Sequence, residues 1–216
     1  ARVYVTINTI IYEDELAATK EMLEALNTIG VDALLVQDMG ILELIEHWDA
    51  KVPFRMELHA STQTDNRTAE KVRWLKEVGF KRAVLARELS AREIARIHHA
   101  VPEMDLEVFV HGALCVSYSG VCYASQHCFH RSANRGECAQ FCRMKFDLLD
   151  SNQHEVEHQR HLLSMRDMCQ LEHLQELAES GACSFKIEGR LKDVEYVKNV
   201  VSAYSKELNK IVNSHP

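Results

Sequence analysis

Five of the chain's seven cysteines, Cys115, Cys122, Cys128, Cys138 and Cys142, fall in one stretch, HGALCVSYSGVCYASQHCFHRSANRGECAQFCR, from His111 to Arg143. Cys169 and Cys183 lie downstream, and no cysteine precedes Cys115. Clustered thiols suit soft metals: zinc, copper(I) or iron–sulfur clusters. Structural zinc sites prefer ligand pairs about two to four residues apart. Three residues separate Cys138 from Cys142, which fits; six separate Cys115 from Cys122, which does not. Zinc is therefore the alternative. A cubane iron–sulfur cluster needs four cysteines and accepts irregular spacing from separate loops. The plainer reading of a free cysteine is a small buried hydrophobe. It suits Cys183, just ahead of a strand-like run, but not five thiols in one polar loop.

The same stretch is locally basic. Arg131, Arg135, Arg143 and Lys145 face only Glu137, with His127 and His130 beside them. Arginine forks match phosphate and carboxylate groups, so Arg131, Arg135 and Arg143 are candidates for binding an anionic substrate. They could equally pair with carboxylates of the chain itself. The net charge of −7 argues against indiscriminate binding to nucleic acid and leaves room for a local patch.

The elements that must position these groups follow from the rhythm of the chain. Strand-like runs (VYVTINT, ALLVQD, FRMELHAS, RAVLAR, LEVFVHG, SFKIEG) alternate with amphipathic stretches such as EDELAATKEMLEALNTIG and NRTAEKVRWLKEVG. Gly30 supplies a helix stop, and Ser90 and Ser61-Thr62 stand where N-caps are expected. Six strands separated by helices imply right-handed crossovers and a parallel sheet. The expected fold is an α/β, TIM-like parallel β/α barrel, incomplete because units before Ala1 are missing. It spans residues 1–216 as one domain, with the cysteine segment inserted at about 112–145. An open doubly wound sheet is the alternative, without the G-x-G-x-x-G that a dinucleotide fold would carry.

In a parallel barrel the C-terminal strand ends form the active face. His59, His111, Lys186 and Glu188 fall there as candidate catalytic groups, and Arg190 as a candidate substrate ligand. Alternation places Glu57, His59 and Ser61 on one side of their strand, and Glu107, Phe109 and His111 on one side of theirs. His111 is the candidate proton donor or acceptor, because an unperturbed imidazole titrates near neutrality.

The apolar fraction of 46% and charged fraction of 26% are those of a soluble globular protein. No apolar run is long enough for a bilayer and no signal-peptide pattern opens the chain, so no membrane partner is expected. An odd number of cysteines without a secretion signal points to a reducing cytoplasm rather than a disulfide framework.

The wording EVFVHGALCVSYSGVCYAS resembles the signature of the collagenase-like peptidases, family thirty-two of the unassigned peptidases. RSANRGECAQFCR, SMRDMCQLEHLQELAESGACSFKIEGR and ELHASTQ resemble further blocks of that family, in order, over nearly the whole chain. CYASQH…RSANRGECAQ is most similar to the branch that includes bacterial ribosomal RNA hydroxylation factors. The resemblance implies a 4Fe–4S cluster on Cys115, Cys122, Cys138 and, through the RDMC block, Cys169, with Cys142 as the alternative fourth ligand. Cys128 matches no ligand position. The resemblance also implies hydroxylation of a pyrimidine base in RNA, ribosomal RNA ahead of tRNA, with a prephenate-like small molecule as a further partner. Members usually begin with about two more β/α units, in line with the strand count.

Two other functions compete. Proteolysis would use a cysteine activated by an imidazole, but no H-E-x-x-H or G-x-S-x-G is present. A non-catalytic assembly subunit could use Val194, Val197, Val200, Val201 and Tyr204 of the last helix, although such spacing is ordinarily core. Open sheet edges would also favour a homodimer.

Overall fold

The computed structural model describes residues 1–49, 51–189 and 192–214. The chain runs β1 (Tyr4–Ile7), α1 (Leu16–Ile29), β2 (Ala33–Val36), α2 (Gly40–Glu46), β3 (Glu57–Ala60), α3 (Ala69–Glu77), β4 (Arg82–Val84), α4 (Ala91–Ala100) and β5 (Asp105–Gly112). There follow α5 (Ala124–Phe129), β6 (Phe146–Leu149), β7 (Glu155–Arg160), β8 (Met168–Cys169), α6 (Leu174–Glu179), β9 (Ala182–Ile187) and α7 (Val194–Ser214).

Helix boundaries follow their capping chemistry. Gly30, at φ 86°, closes α1 by donating its N–H to the Leu26 carbonyl. Ser90 and Glu93 form a reciprocal capping box that opens α4. Ser61 caps a short 3-10 turn, Thr62–Thr64, whereas α3 is capped by Thr68, whose hydroxyl accepts from Lys71 N.

The six expected strands all form. β1, β2, β3, β4, β5 and β9 lie side by side in chain order, all parallel, and β8 adds a short antiparallel pairing at the end of β5. A doubly wound sheet reverses its strand order about a switch point; this one does not. Residues of α1, α2, α3, α4, α6 and α7 share one apolar core with Leu34, Val36, Leu58, Ala83, Leu106, Val108 and Val110. The opposite face carries a much smaller cluster, Leu35, Val84 and Phe109. Helices thus cover one face of a mostly parallel sheet. No pairing joins β1 to β9 among the described residues, so no closed barrel is found. A groove of about 370 Å³ separates Tyr4 and Thr6 of β1 from Ser184, Phe185, Lys186 and Ile187 of β9.

Past residue 145 the chain continues into the β6–β7 hairpin, whose strand residues are exposed apart from half-buried Phe146. Among the described residues no helix is long and apolar enough to cross a membrane.

Candidate functional site

β5 delivers the chain to the site. Gly112 ends it at φ 114°, against Glu188; a Cβ there would lie 2.7 Å from both the Cβ and the carbonyl oxygen of Glu188. Cys115 follows three residues on and is exposed, as is Cys138, whereas Cys122 and Cys142 are half-buried. All seven thiols are free. Burial pushes the Cys142 thiol up, and the charges of Cys115, Cys138 and Cys122 push it further, against the pull of Arg143. These four thiols therefore share one neighbourhood. The buried Ser125 hydroxyl lies 3.9 Å from Cys138 Sγ and accepts from the Ala139 N–H, which fixes the Cys138 backbone.

Cys169 lies on β8 at the same sheet end. It pairs with His111 across β5 and β8, and its Sγ lies 3.8 Å from the Tyr204 hydroxyl. Cys128 is exposed on α5. Cys183 is not the core residue expected: it is an exposed position inside β9, its thiol 3.5 Å from the Leu106 carbonyl.

The spacing of the thiols bears on what they could hold. Zinc–sulfur bonds of about 2.3 Å would bring tetrahedral ligand sulfurs to about 3.8 Å of one another. Among the described residues no three thiols converge within 4.8 Å; the trio that does is Asp147, Glu155 and His158 on the exposed hairpin. Thiols are the donors that an iron–sulfur cluster takes, and Cys115, Cys122 and Cys138 with Cys169 or Cys142 would supply the four it needs.

The segment is clamped onto the C-terminal strand ends. Arg135 bonds both carboxylate oxygens of Glu15 at 2.6 and 2.8 Å, donates to the Ile10 carbonyl at 2.7 Å and lies over the Tyr12 ring. Glu15 is held down at about 2 by that hydrogen bond. Arg143 donates to the carbonyls of Leu114 and Met165 and to Ser164 Oγ. Glu88 accepts from the Ser119 N–H and hydroxyl, each at 3.2 Å, and Arg67 lies 4.4 Å from the Tyr118 ring centre. Of the arginines read as substrate ligands, Arg135 and Arg143 thus hold the segment in place. Arg131 is exposed and pairs with no described side chain. Arg190 lies outside the described residues.

The candidate catalytic groups occupy three neighbourhoods rather than one pocket. His59 is 1% exposed, its Nε2 3.1 Å from Glu57 and its ring edge-on to Tyr4. Burial lowers its pKa, against the hydrogen bond to Glu57. Lys186 pairs at 3.4 Å with Glu107, which also accepts from Ser184 and Arg82 at 2.8 and 3.3 Å. These charges line the concave sheet face beside His59. His111 points away from them. The β5–β9 register shifts between Phe109 and His111, so Phe109 joins the concave cluster while His111 packs on Tyr196 and Tyr204 of α7. The expected shared side for Glu107, Phe109 and His111 breaks at that bulge. Glu188 lies at the mouth, bonded to Arg87 at 3.2 Å.

Arg87, just past β4, is a further charged group at this end of the sheet. Its guanidinium sits 3.8 Å from the Phe109 ring centre. Burial lowers its pKa, while the charges of Glu188 and Cys115 raise it. Its only local signal is its place just past β4. Its partners Phe109, Cys115 and Glu188 come from distant parts of the chain.

Comparison with known proteins shows what the chain is similar to. The chain is 49% identical to the 23S rRNA 5-hydroxycytidine C2501 synthase of Escherichia coli over 98% of its length and 31% of that protein's. It is 35% identical to tRNA hydroxylation protein P1 of Bacillus subtilis, over 97% of this chain and 50% of that one. It is 30% identical to a collagenase of Porphyromonas gingivalis, over 97% and 52%. It spans about a third to a half of the length of these relatives. A solved U32 peptidase overlays 89% of this chain and 71% of its own at 12% identity and a TM-score of 0.48. With its whole length, residues 1–216, matching the family, the chain belongs to Peptidase family U32.

Proposed function

We propose that the protein carrying this chain hydroxylates a pyrimidine base of RNA, ribosomal RNA ahead of tRNA, and that its thiols hold a 4Fe–4S cluster. The observation that carries this reading is the gathering of Cys115, Cys122, Cys138 and Cys142 in one neighbourhood beyond β5, without disulfides. The 49% identity to a ribosomal RNA hydroxycytidine synthase, against 35% to a tRNA hydroxylation protein, supports the ranking of substrates. Cys115, Cys122 and Cys138 would supply three ligands. Cys169, which the family resemblance implies, or Cys142, which lies with the three, would supply the fourth. Such a cluster supplies one-electron transfer.

The chain's own residues have separable tasks. Arg135 and Arg143 hold the segment over the strand ends. Arg131, exposed and uncommitted, is available to phosphate. Glu188 and Arg87 place a fixed ion pair beside Cys115. His59 is kept neutral inside the concave face, where Lys186, Arg82 and Glu107 form a closed charge network. The sequential parallel strand order supports a TIM-like barrel as the frame, and an RNA substrate of this kind supports a cytoplasmic location. A prephenate-like partner belongs to the same proposal and rests on the resemblance; a homodimer rests on the open sheet edges.

Proteolysis has the collagenase relative in its favour. The geometry gives it little: among the described residues no cysteine thiol is hydrogen-bonded to an imidazole. Nucleoside mass spectrometry of ribosomal RNA and tRNA from wild-type and deletion strains tests the proposal. Loss of a hydroxylated pyrimidine on deletion is expected. Unchanged nucleosides, together with gelatin cleavage that a Cys→Ala change stops, would replace hydroxylation by proteolysis.

A further inference from the structure

We propose that Arg87 and Glu188 form a fixed ion pair that sets the reduction potential of the cluster, Arg87 raising it and Glu188 lowering it. This rests on the iron–sulfur reading above. The pair is built into the sheet. The Glu188 N–H donates to the His111 carbonyl at 2.8 Å, and Gly112 packs against the Glu188 Cβ, so Glu188 is fixed at the end of β5, just before the chain reaches Cys115. Arg87, whose side chain is 17% exposed, is held between Glu188 at 3.2 Å and the Phe109 ring at 3.8 Å. Its Nε is buried and makes no hydrogen bond among the described residues. Stacking on an aromatic face and a single carboxylate partner leave the guanidinium unable to swing into solvent. Cys115 is among the groups whose charge raises the Arg87 pKa against burial.

The physical consequence follows from sign. A cluster that gains an electron becomes more negative, and a cation held nearby in a partly dry environment stabilises that reduced state. Glu188 opposes the effect. A plain structural role, tying the end of β4 to the end of β9, would leave the potential untouched.

The test is an EPR-monitored redox titration of the full-length protein, reconstituted without oxygen, with iron, sulfide and absorbance measured on each sample. Arg87→Gln is expected to move the midpoint to a more negative value, Arg87→Lys to leave it near wild type, and Glu188→Gln to move it to a more positive value. A loaded cluster whose midpoint is the same in wild type, Arg87→Gln and Glu188→Gln overturns the inference and leaves the iron–sulfur reading standing. If Arg87→Gln does not fold, an unchanged midpoint in Glu188→Gln overturns it alone. Wild-type protein that takes up no cluster overturns the reading beneath it.

Discussion

Arg135 grips both carboxylate oxygens of Glu15, at 2.6 and 2.8 Å, joining residues 120 positions apart. The bond runs from the middle of the cysteine segment to the loop after β1. Two parallel hydrogen bonds in a fork fix orientation as well as distance.

Arg135→Ala should therefore free residues 131–143 from the strand ends while the parallel sheet stays intact. Hydrogen exchange would show faster exchange in that segment and little change in β2 or β3. The clamp also has a pH window. Glu15 is depressed from 4.5 to about 2, so its contribution is complete above 4.5 and is lost as pH falls toward 2. Uniform exchange changes across the whole sheet would contradict this local role.

Gly120 lies against the Gln63 carbonyl with no room for a Cβ, at φ 79°. Gly120→Ala pays both for the left-handed backbone and for displacing the Gln63 peptide; the first term alone costs about 1–2 kcal/mol. Urea unfolding should show a lowered midpoint, and Ser119 should lose protection with it. A variant as stable as wild type would mean the two loops separate without cost.

His59 sets an acid limit. Its folded pKa lies below the ordinary 6.5 because burial disfavours the imidazolium. As pH drops below 6.5, the unfolded chain takes up a proton that the folded one refuses, so stability falls. Above 6.5 the group is neutral in both states and contributes no slope. His59→Gln should flatten the decline between neutral and mildly acidic pH in urea titrations. An unchanged slope would place the acid sensitivity elsewhere.

The fourth thiol ligand is decided by two variants. Following the family resemblance, Cys169→Ala is expected to abolish cluster absorbance in anaerobic protein and Cys142→Ala to retain it. The reverse pattern would assign the ligand to Cys142, which shares the neighbourhood of Cys115, Cys122 and Cys138. Cys128→Ala should change nothing, since Cys128, exposed on α5, matches no ligand position of the family resemblance.

The sequence alone determined the strand–helix alternation, because a period of two in runs such as FRMELHAS and of 3.6 in runs such as AREIARIHHA is a local property of which face meets the core. It also singled out the thiol segment, since residue type and spacing need no fold to be seen. It missed the β6–β7 hairpin, whose exposed strands bury no face that would impose a pattern. Only the tertiary structure decided the rest. A single bulge after Phe109 turned His111 from the concave face to Tyr204. Arg135 and Arg143 became clamps because Glu15 and the Leu114 carbonyl happen to meet them. Arg87 acquired its place between Glu188 and Phe109 from strands that the chain visits far apart. Charge pairing of this kind depends on distance in space, and a parallel sheet sets those distances through crossovers that local sequence patterns do not encode.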